Sequence, residues 1–162
     1  MRRALIIFIL LQAYCLGGCS FSTDYVIVNS SSGPLEVTYT IAPTSIDPLA
    51  ATGVGIPALL PTSKLMESRD WRKLLPGEFI FDRVSRTVMV SLPSNQGLLI
   101  TRGGDYNPNR STLTNFIIKE IRIAGPNGEM ILKGDAVPKA FTVVPKPFYS
   151  FGPPTLLTLT CK

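Results

Sequence analysis

The stretch Leu35-Glu36-Val37-Thr38-Tyr39-Thr40-Ile41 decides the fold class of this chain. Its odd positions are apolar and its even positions are polar. Successive side chains of a β-strand point to opposite faces of the sheet, so this alternation predicts a strand with one buried and one solvated face. The stretch follows Asn29-Ser30-Ser31-Ser32-Gly33-Pro34, a run of turn-forming residues. Residues 25–28, on the other side of that turn, are predicted to pair with it as an antiparallel hairpin.

Short apolar runs separated by turn residues continue to the end of the chain. They cover residues 78–81, 86–92, 98–101, 116–123, 130–133, 141–144 and 156–161. This pattern predicts an all-β domain over residues 25–162, an antiparallel β-sandwich of about 7–9 short strands. Residues 98–101 are expected to pair back on residues 86–92, and Gly125-Pro126-Asn127-Gly128 is expected to close a tight turn. The 14 prolines and 13 glycines argue against a helical bundle.

The run at residues 116–123 changes phase in its middle. Phe116 and Ile118 share one parity, whereas Ile121 and Ile123 share the other. One extra residue near Lys119-Glu120 would bring all four apolar side chains to the same face. The sequence therefore predicts a β-bulge at that point.

Two segments lack the two-residue period. Residues 43–61 contain four prolines and two glycines and are predicted to form a long loop, which in a compact domain is either functional or mobile. Residues 63–75 are the one candidate for a short helix, capped by Ser63, with Leu65, Trp71 and Leu75 facing inward. The alternative is an irregular crossing with one buried tryptophan.

The N-terminal stretch RRALIIFILLQAYCLGGCS, residues 2–20, has the layout of a secretory signal peptide. Arg2 and Arg3 precede an unbroken apolar run over residues 4–11, and small residues follow. This run is too short for a transmembrane helix, which needs about 20 predominantly apolar residues.

Leu16-Gly17-Gly18-Cys19 resembles the lipobox of bacterial lipoproteins at all four positions. The resemblance implies that a diacylglycerol is attached to the Cys19 thiol, that residues 1–18 are removed, and that the new N-terminus is acylated. Residues 19–24 would then be a lipidated tether at the bacterial cell envelope. The alternatives are an ordinary signal peptide with an incidental cysteine and an uncleaved anchor. In the enteric members an aspartate after the cysteine retains the protein in the inner membrane, so Ser20 favours the outer membrane, facing the periplasm.

The composition of the mature chain bears on its function. Removal of Arg2 and Arg3 takes the 16 basic side chains to 14, against 11 acidic ones, a net charge of +3. The basic residues are spread singly, so no nucleic-acid partner is predicted. The chain has no histidine, which removes the commonest general base and the commonest metal ligand.

One polar stretch resembles the start of a calcium loop. Asp105, Asn107 and Asn109 place oxygen ligands at alternate positions, but Arg110 stands where the glycine of an EF-hand loop belongs. The alternative is a polar surface loop, in which such residues close Asx-turns. No cofactor is predicted for this chain.

Aromatic side chains in or beside loops are the candidates for partner binding, because aromatic residues anchor interfaces. They are Trp71, Tyr106, Phe148, Tyr149 and Phe151. The alternative is that these rings fold back over the open end of the sandwich.

Cys161 is the one thiol that remains without lipid after processing. It shares its parity with Leu157 and Leu159, so the pattern predicts a buried thiol. The alternative is an exposed thiol that forms an intermolecular disulfide.

These features predict a non-catalytic, membrane-anchored lipoprotein that binds or scaffolds another envelope component, either a protein or a glycan. The alternative is an envelope hydrolase that uses a carboxylate pair, the arrangement found in glycosidases. Two carboxyl groups facing each other across a cleft would favour the hydrolase, whereas scattered acids would favour the binding protein.

Overall fold

The computed structural model describes residues 22–44, 46–65, 70–104, 116–144 and 155–161. Within these ranges, eleven strands and three single-turn helical segments follow one another along the chain. They are β1 (Ser22–Asn29), β2 (Leu35–Ile41), α1 (Pro48–Ala51), β3 (Ala58–Pro61), a 3₁₀ turn (Thr62–Lys64), β4 (Arg72–Lys73), β5 (Phe79–Asp82), β6 (Thr87–Leu92), β7 (Gln96–Gly104), β8 (Ile118–Gly125), β9 (Gly128–Lys133), α2 (Ala136–Lys139), β10 (Thr142–Val144) and β11 (Thr155–Cys161).

The strands form two sheets, and the predicted all-β sandwich is confirmed. The first sheet has the order β10-β11-β1-β7-β3-β4, and the second has the order β5-β6-β2-β8-β9. Neighbouring strands are antiparallel except for β1 and β11, which run parallel. The first and last strands of the described chain therefore lie side by side.

The main core lies between the two sheets. Val37, Tyr39 and Ile41 of β2 are fully buried there, as the alternation predicted. Ile27 of β1 and Leu98 of β7 belong to the same cluster, so the inner faces of both sheets contribute to it.

β1 is buried on both of its faces. Tyr25 and Ile27 belong to the core between the sheets, whereas Val26 and Val28 belong to a second cluster with Leu60, Leu65 and Leu99. The half-buried Trp71 packs against this second cluster. The chain that follows β3, which includes Leu65 and Trp71, therefore covers part of the outer face of the first sheet.

The two predicted hairpins are wrong. β1 and β2 lie in different sheets, and so do β6 and β7. β1 is apolar on both faces and therefore lies inside the first sheet, where both of its faces are covered. A hairpin with β2 would place it in the second sheet instead. The turn after β1 crosses between the sheets and is held by Asn29, whose Nδ2 donates to Gly33 O and to Leu92 O, each at 2.9 Å.

β1 also starts earlier than the sequence indicated. It begins at Ser22, so Thr23 and Asp24 are buried strand residues although they were assigned to the tether. Asp24 is accommodated there because its carboxylate pairs with Arg102 on the neighbouring strand. A polar residue at the end of a buried strand gives no apolar signal in the sequence.

The predicted β-bulge in β8 is confirmed. Thr40 lies opposite Glu120 and Ile41 lies opposite Ile118, so Lys119 is the extra residue. The bulge brings both parities of β8 to the core, where Ile118 and Ile121 are almost fully buried. The predicted turn after β8 is also confirmed, because Gly125 pairs with Gly128, which has φ +121°.

The segments without alternation contain more regular structure than predicted. Residues 43–61 include α1 and β3 rather than one loop. The helix predicted near residues 63–75 is reduced to the 3₁₀ turn in the described part of that segment, because β4 forms an extended edge strand on β3. Leu65 is buried as expected, but Leu74 is buried in place of Leu75, which is 64% exposed.

The sandwich has two distinct ends. At the upper end lie the turn after β1, the turn between β6 and β7, and the β8–β9 turn; Asn95 N donates to Asn29 O there at 2.9 Å. At the lower end lie the first residues of β1, the last residues of β2 and the β5–β6 turn; Ile41 N donates to Arg86 O there at 2.9 Å. The names upper end and lower end are used in this sense below.

Gly53 holds the segment after α1 against β7. It has φ +71°, and a Cβ at this position would collide with the backbone carbonyl of Arg102. The preceding carbonyl, Thr52 O, accepts from Arg102 N at 2.7 Å and from Thr101 Oγ1 at 2.8 Å. A side chain at residue 53 would force these groups apart.

We expect Gly53→Ala to lower the free energy of unfolding by about 3 kcal/mol, combining left-handed strain of about 1–2 kcal/mol with weakened hydrogen bonds of about 1 kcal/mol each. Gly55→Ala is the matched control, because Gly55 has φ +73° and nothing within 4 Å of its Cβ position. It should cost only the conformational strain. Urea unfolding of both variants measures the difference, and equal losses would contradict the close approach at Gly53.

Candidate functional site

A pocket of about 290 Å³ opens between the two sheets at the upper end. It is called the upper pocket below. Leu35 of β2, Ile123 of β8 and Met130 of β9 supply its apolar lining. The remaining lining residues are Ser31, Gly125, Pro126, Asn127, Gly128, Glu129, Thr160 and Cys161. The lining is thus mixed, with an apolar floor and polar groups around it, and ligand sites commonly combine apolar surface with polar groups that fix orientation.

The β8–β9 turn and the end of β11 form two sides of the upper pocket, and the local sequence explains the position of each. The β8–β9 turn projects over it because Pro126 and Asn127 span only two residues between paired glycines. Gly125 allows Leu35 to pass close by, since a Cβ at residue 125 would collide with the Leu35 side chain. On the other wall, Ser30 N donates to Cys161 O at 2.9 Å and fixes the end of β11 beside the turn after β1.

Cys161 is a free thiol and is half-buried rather than fully buried. Its side chain packs partly against the main core, on the face shared with Leu159, so the predicted direction is correct. The burial is incomplete because β11 ends at the mouth of the upper pocket. Desolvation raises the pKa of the Cys161 thiol above its usual value.

We expect Cys161 in the native protein to react slowly with a polar maleimide and to react fast after unfolding, because the thiolate is the nucleophile and its pKa is raised. Burial favours the neutral thiol, so this contribution to stability is present below the unfolded pKa and is lost as pH rises through the folded pKa. Cys161→Ala should cost at most about 1 kcal/mol. Native labelling as fast as unfolded labelling would contradict the half-buried position.

The buried carboxylate of the described chain belongs to a structural ion pair. Arg102 Nε lies 2.6 Å from Asp24 Oδ1, and Arg102 Nη2 lies 3.2 Å from Asp24 Oδ2. This two-point contact raises the pKa of Arg102 further above its already high value. The pair joins β1 to β7 on the outer face of the first sheet, away from the upper pocket.

Three further carboxylates in the described ranges are paired with basic side chains. Glu78 bonds to Arg72 at 2.7 Å, Glu120 lies 3.3 Å from Lys133, and Glu129 contacts Arg122. The hydrogen bond from Arg72 lowers the pKa of Glu78, and the Ser85 hydroxyl lowers the pKa of Asp82. A general acid needs the opposite shift, so these two carboxyls are not suited to that role.

The predicted site residues have different outcomes. Trp71 is described, and it packs on the second cluster instead of presenting a free ring. The other aromatic candidates, Tyr106, Phe148, Tyr149 and Phe151, lie outside the described residues, as do Asp105, Asn107, Asn109 and the lipobox cysteine, Cys19. Within the described ranges, no group of three or more His, Cys, Asp or Glu side chains is placed to hold a metal ion.

The sequence did not reveal the lining of the upper pocket. Ser31, Ile123 and Met130 come from three separate segments, and each has an ordinary local role in a turn or strand. The one usable signal was the parity of Cys161, which placed the thiol on the inner face of the last strand.

A second pocket of about 270 Å³ lies at the edge of the first sheet beside β3 and β4. It lies on the sheet edge rather than between the sheets, and its lining combines Leu59, Leu60 and Pro61 with Lys64, Asp70, Arg72 and Gln96. We take the upper pocket as the candidate site because it lies between the two sheets.

Comparison with known proteins gives no relative: no protein family model, no curated protein and no solved structure matches this chain. Among the residues that the structure describes, no helix has the length and apolar character required to cross a membrane.

Proposed function

We propose that this protein is a non-catalytic bacterial lipoprotein, held by lipid on Cys19, whose β-sandwich binds another cell-envelope component at the upper pocket. The outer membrane, with the domain in the periplasm, is the proposed location. The partner is an envelope protein or a glycan that inserts an apolar group between the β8–β9 turn and the end of β11.

The position of Ser22 is the observation that carries this proposal. β1 begins there, three residues after Cys19. Because consecutive Cα atoms are 3.8 Å apart, the lipidated residue lies within roughly 11 Å of the lower end of the sandwich. The upper pocket is at the opposite end, so a lipid on Cys19 would leave its mouth directed away from the membrane and accessible to a partner.

A photo-crosslinking amino acid at Asn127 in the membrane-held full chain tests this proposal. Asn127 is an exposed residue on the rim of the upper pocket, so a bound partner should give a cross-linked product of defined mass. Met130→Trp should abolish that product, because the half-buried Met130 belongs to the apolar lining and an indole there would fill the pocket.

Thr142→Trp is the matched control, since Thr142 is exposed on β10 and does not line the upper pocket. It should leave the cross-link intact. A product that survives Met130→Trp, or no defined product from native membranes, would contradict binding at this pocket.

A further inference from the structure

The β5–β6 turn presents an exposed apolar side chain at the lower end of the sandwich. Val84 is 90% exposed and is flanked in sequence by the exposed Arg83 and, two residues later, by the half-buried Arg86. Lys119 is exposed at the same end, in the bulge of β8. An isolated exposed valine is ordinary, but an apolar tip between arginines has the composition of a membrane-surface contact.

The turn is built to hold Val84 in place. Asp82 Oδ1 accepts from Val84 N at 2.8 Å, and Asp82 Oδ2 accepts from Ser85 Oγ at 2.7 Å. The carboxylate of Asp82 is thus engaged inside the turn, while Arg83 faces solvent.

The turn also lies at the end of the molecule where a lipid would be attached. Ile41 N donates to Arg86 O, which fixes the turn just beyond the lower end of β2. β1 begins at the same end, three residues after Cys19. A membrane that holds the lipid of Cys19 would therefore lie next to this turn.

We infer that, in the lipid-anchored protein, the β5–β6 turn contacts the anchoring membrane, with Val84 among the headgroups and Arg83 and Arg86 beside lipid phosphates. This inference rests on the proposed lipid anchor. The acyl chains provide retention, and the turn fixes the orientation in which the upper pocket points away from the bilayer. Attraction of the arginines to anionic headgroups and burial of the valine act in the same direction.

Spin labels at two exposed sites test the contact in the full lipidated chain. Val84→Cys and Asn127→Cys, each combined with Cys161→Ala, place a nitroxide at the lower and the upper end. In vesicles of phosphatidylethanolamine and phosphatidylglycerol, the label at residue 84 should collide several-fold less often with a water-soluble nickel complex than the label at residue 127. Both sites are exposed in the fold, so the bilayer is the expected source of the difference.

Charge reversal supplies a matched pair of controls. Arg83→Glu should raise the nickel accessibility of the label at residue 84, whereas Lys64→Glu, at an exposed basic residue of the upper end, should not. Equal accessibility of the two labels on a protein whose mass shows a lipidated Cys19 would overturn the membrane contact and leave the proposed function standing. A bare Cys19 in that mass measurement would overturn both.

Discussion

Cys19→Ser is expected to abolish lipid attachment and, with it, the lipid-anchored mature form of the protein. The serine hydroxyl cannot form the thioether that the lipobox resemblance implies. Each buried CH₂ of an acyl chain contributes about 0.8 kcal/mol to membrane binding, and two or more chains give stable anchoring. Loss of all chains should therefore move the protein from fully membrane-bound to soluble, or leave it as the uncleaved precursor.

Membrane fractionation and intact-mass measurement check this result. Cys161→Ser is the matched control, because it removes the other thiol of the mature chain and should leave the protein in the membrane with its lipid. A wild-type protein extracted from membranes with an unmodified Cys19 would disprove the anchor.

Deletion of Lys119 is expected to unfold the domain or to come close to doing so. The bulge allows Phe116 and Ile118 to reach the same core as Ile121 and Ile123. Without the extra residue, one of these pairs must turn to solvent, because a one-residue shift exchanges the faces of a strand. Exposing two large apolar side chains costs roughly 3–6 kcal/mol, a large part of the 5–15 kcal/mol that stabilises a typical domain.

Lys119→Ala is the control for the deletion. The Lys119 side chain is exposed, so its truncation should change the free energy of unfolding by less than about 0.5 kcal/mol. Urea unfolding and near-ultraviolet circular dichroism distinguish the two variants. A deletion variant with the wild-type unfolding midpoint would show that β8 does not need its bulge.

The sequence predicted individual strands well where one face is solvated. The alternation in β2 and the phase change in β8 each report a local property, the direction of successive side chains relative to one core. The pairing of strands is a different matter. β1 carries apolar residues on both faces, so its pattern does not say which strand lies beside it, and the short turn after it allows either a hairpin or a crossing between sheets.

The candidate site was predictable only in part. The parity of Cys161 predicted the correct face of β11. The partial exposure of the Cys161 side chain depends on the positions of Ser31 and the β8–β9 turn, which are far from Cys161 in the sequence. Trp71 was predicted as a binding candidate because it is a large aromatic residue near loops. Instead it helps to cover β1 as part of a second apolar cluster, and no hydrophobic periodicity in the sequence indicates that cluster. Leu74 and Leu75 exchanged roles because residues 72–73 are extended instead of helical.

The central place of β1 determines how the domain responds to a mechanical load on its N-terminus. Seven residues of β1 are matched in register with β11 and seven with β7. A pull along β1 runs across the hydrogen bonds to both neighbours, so the ladders must yield together in shear instead of opening one bond at a time. An edge strand such as β4, with two residues, would peel away under the same force. A force applied at the N-terminus is thus resisted by a strand that is hydrogen-bonded along most of its length to a neighbour on each side.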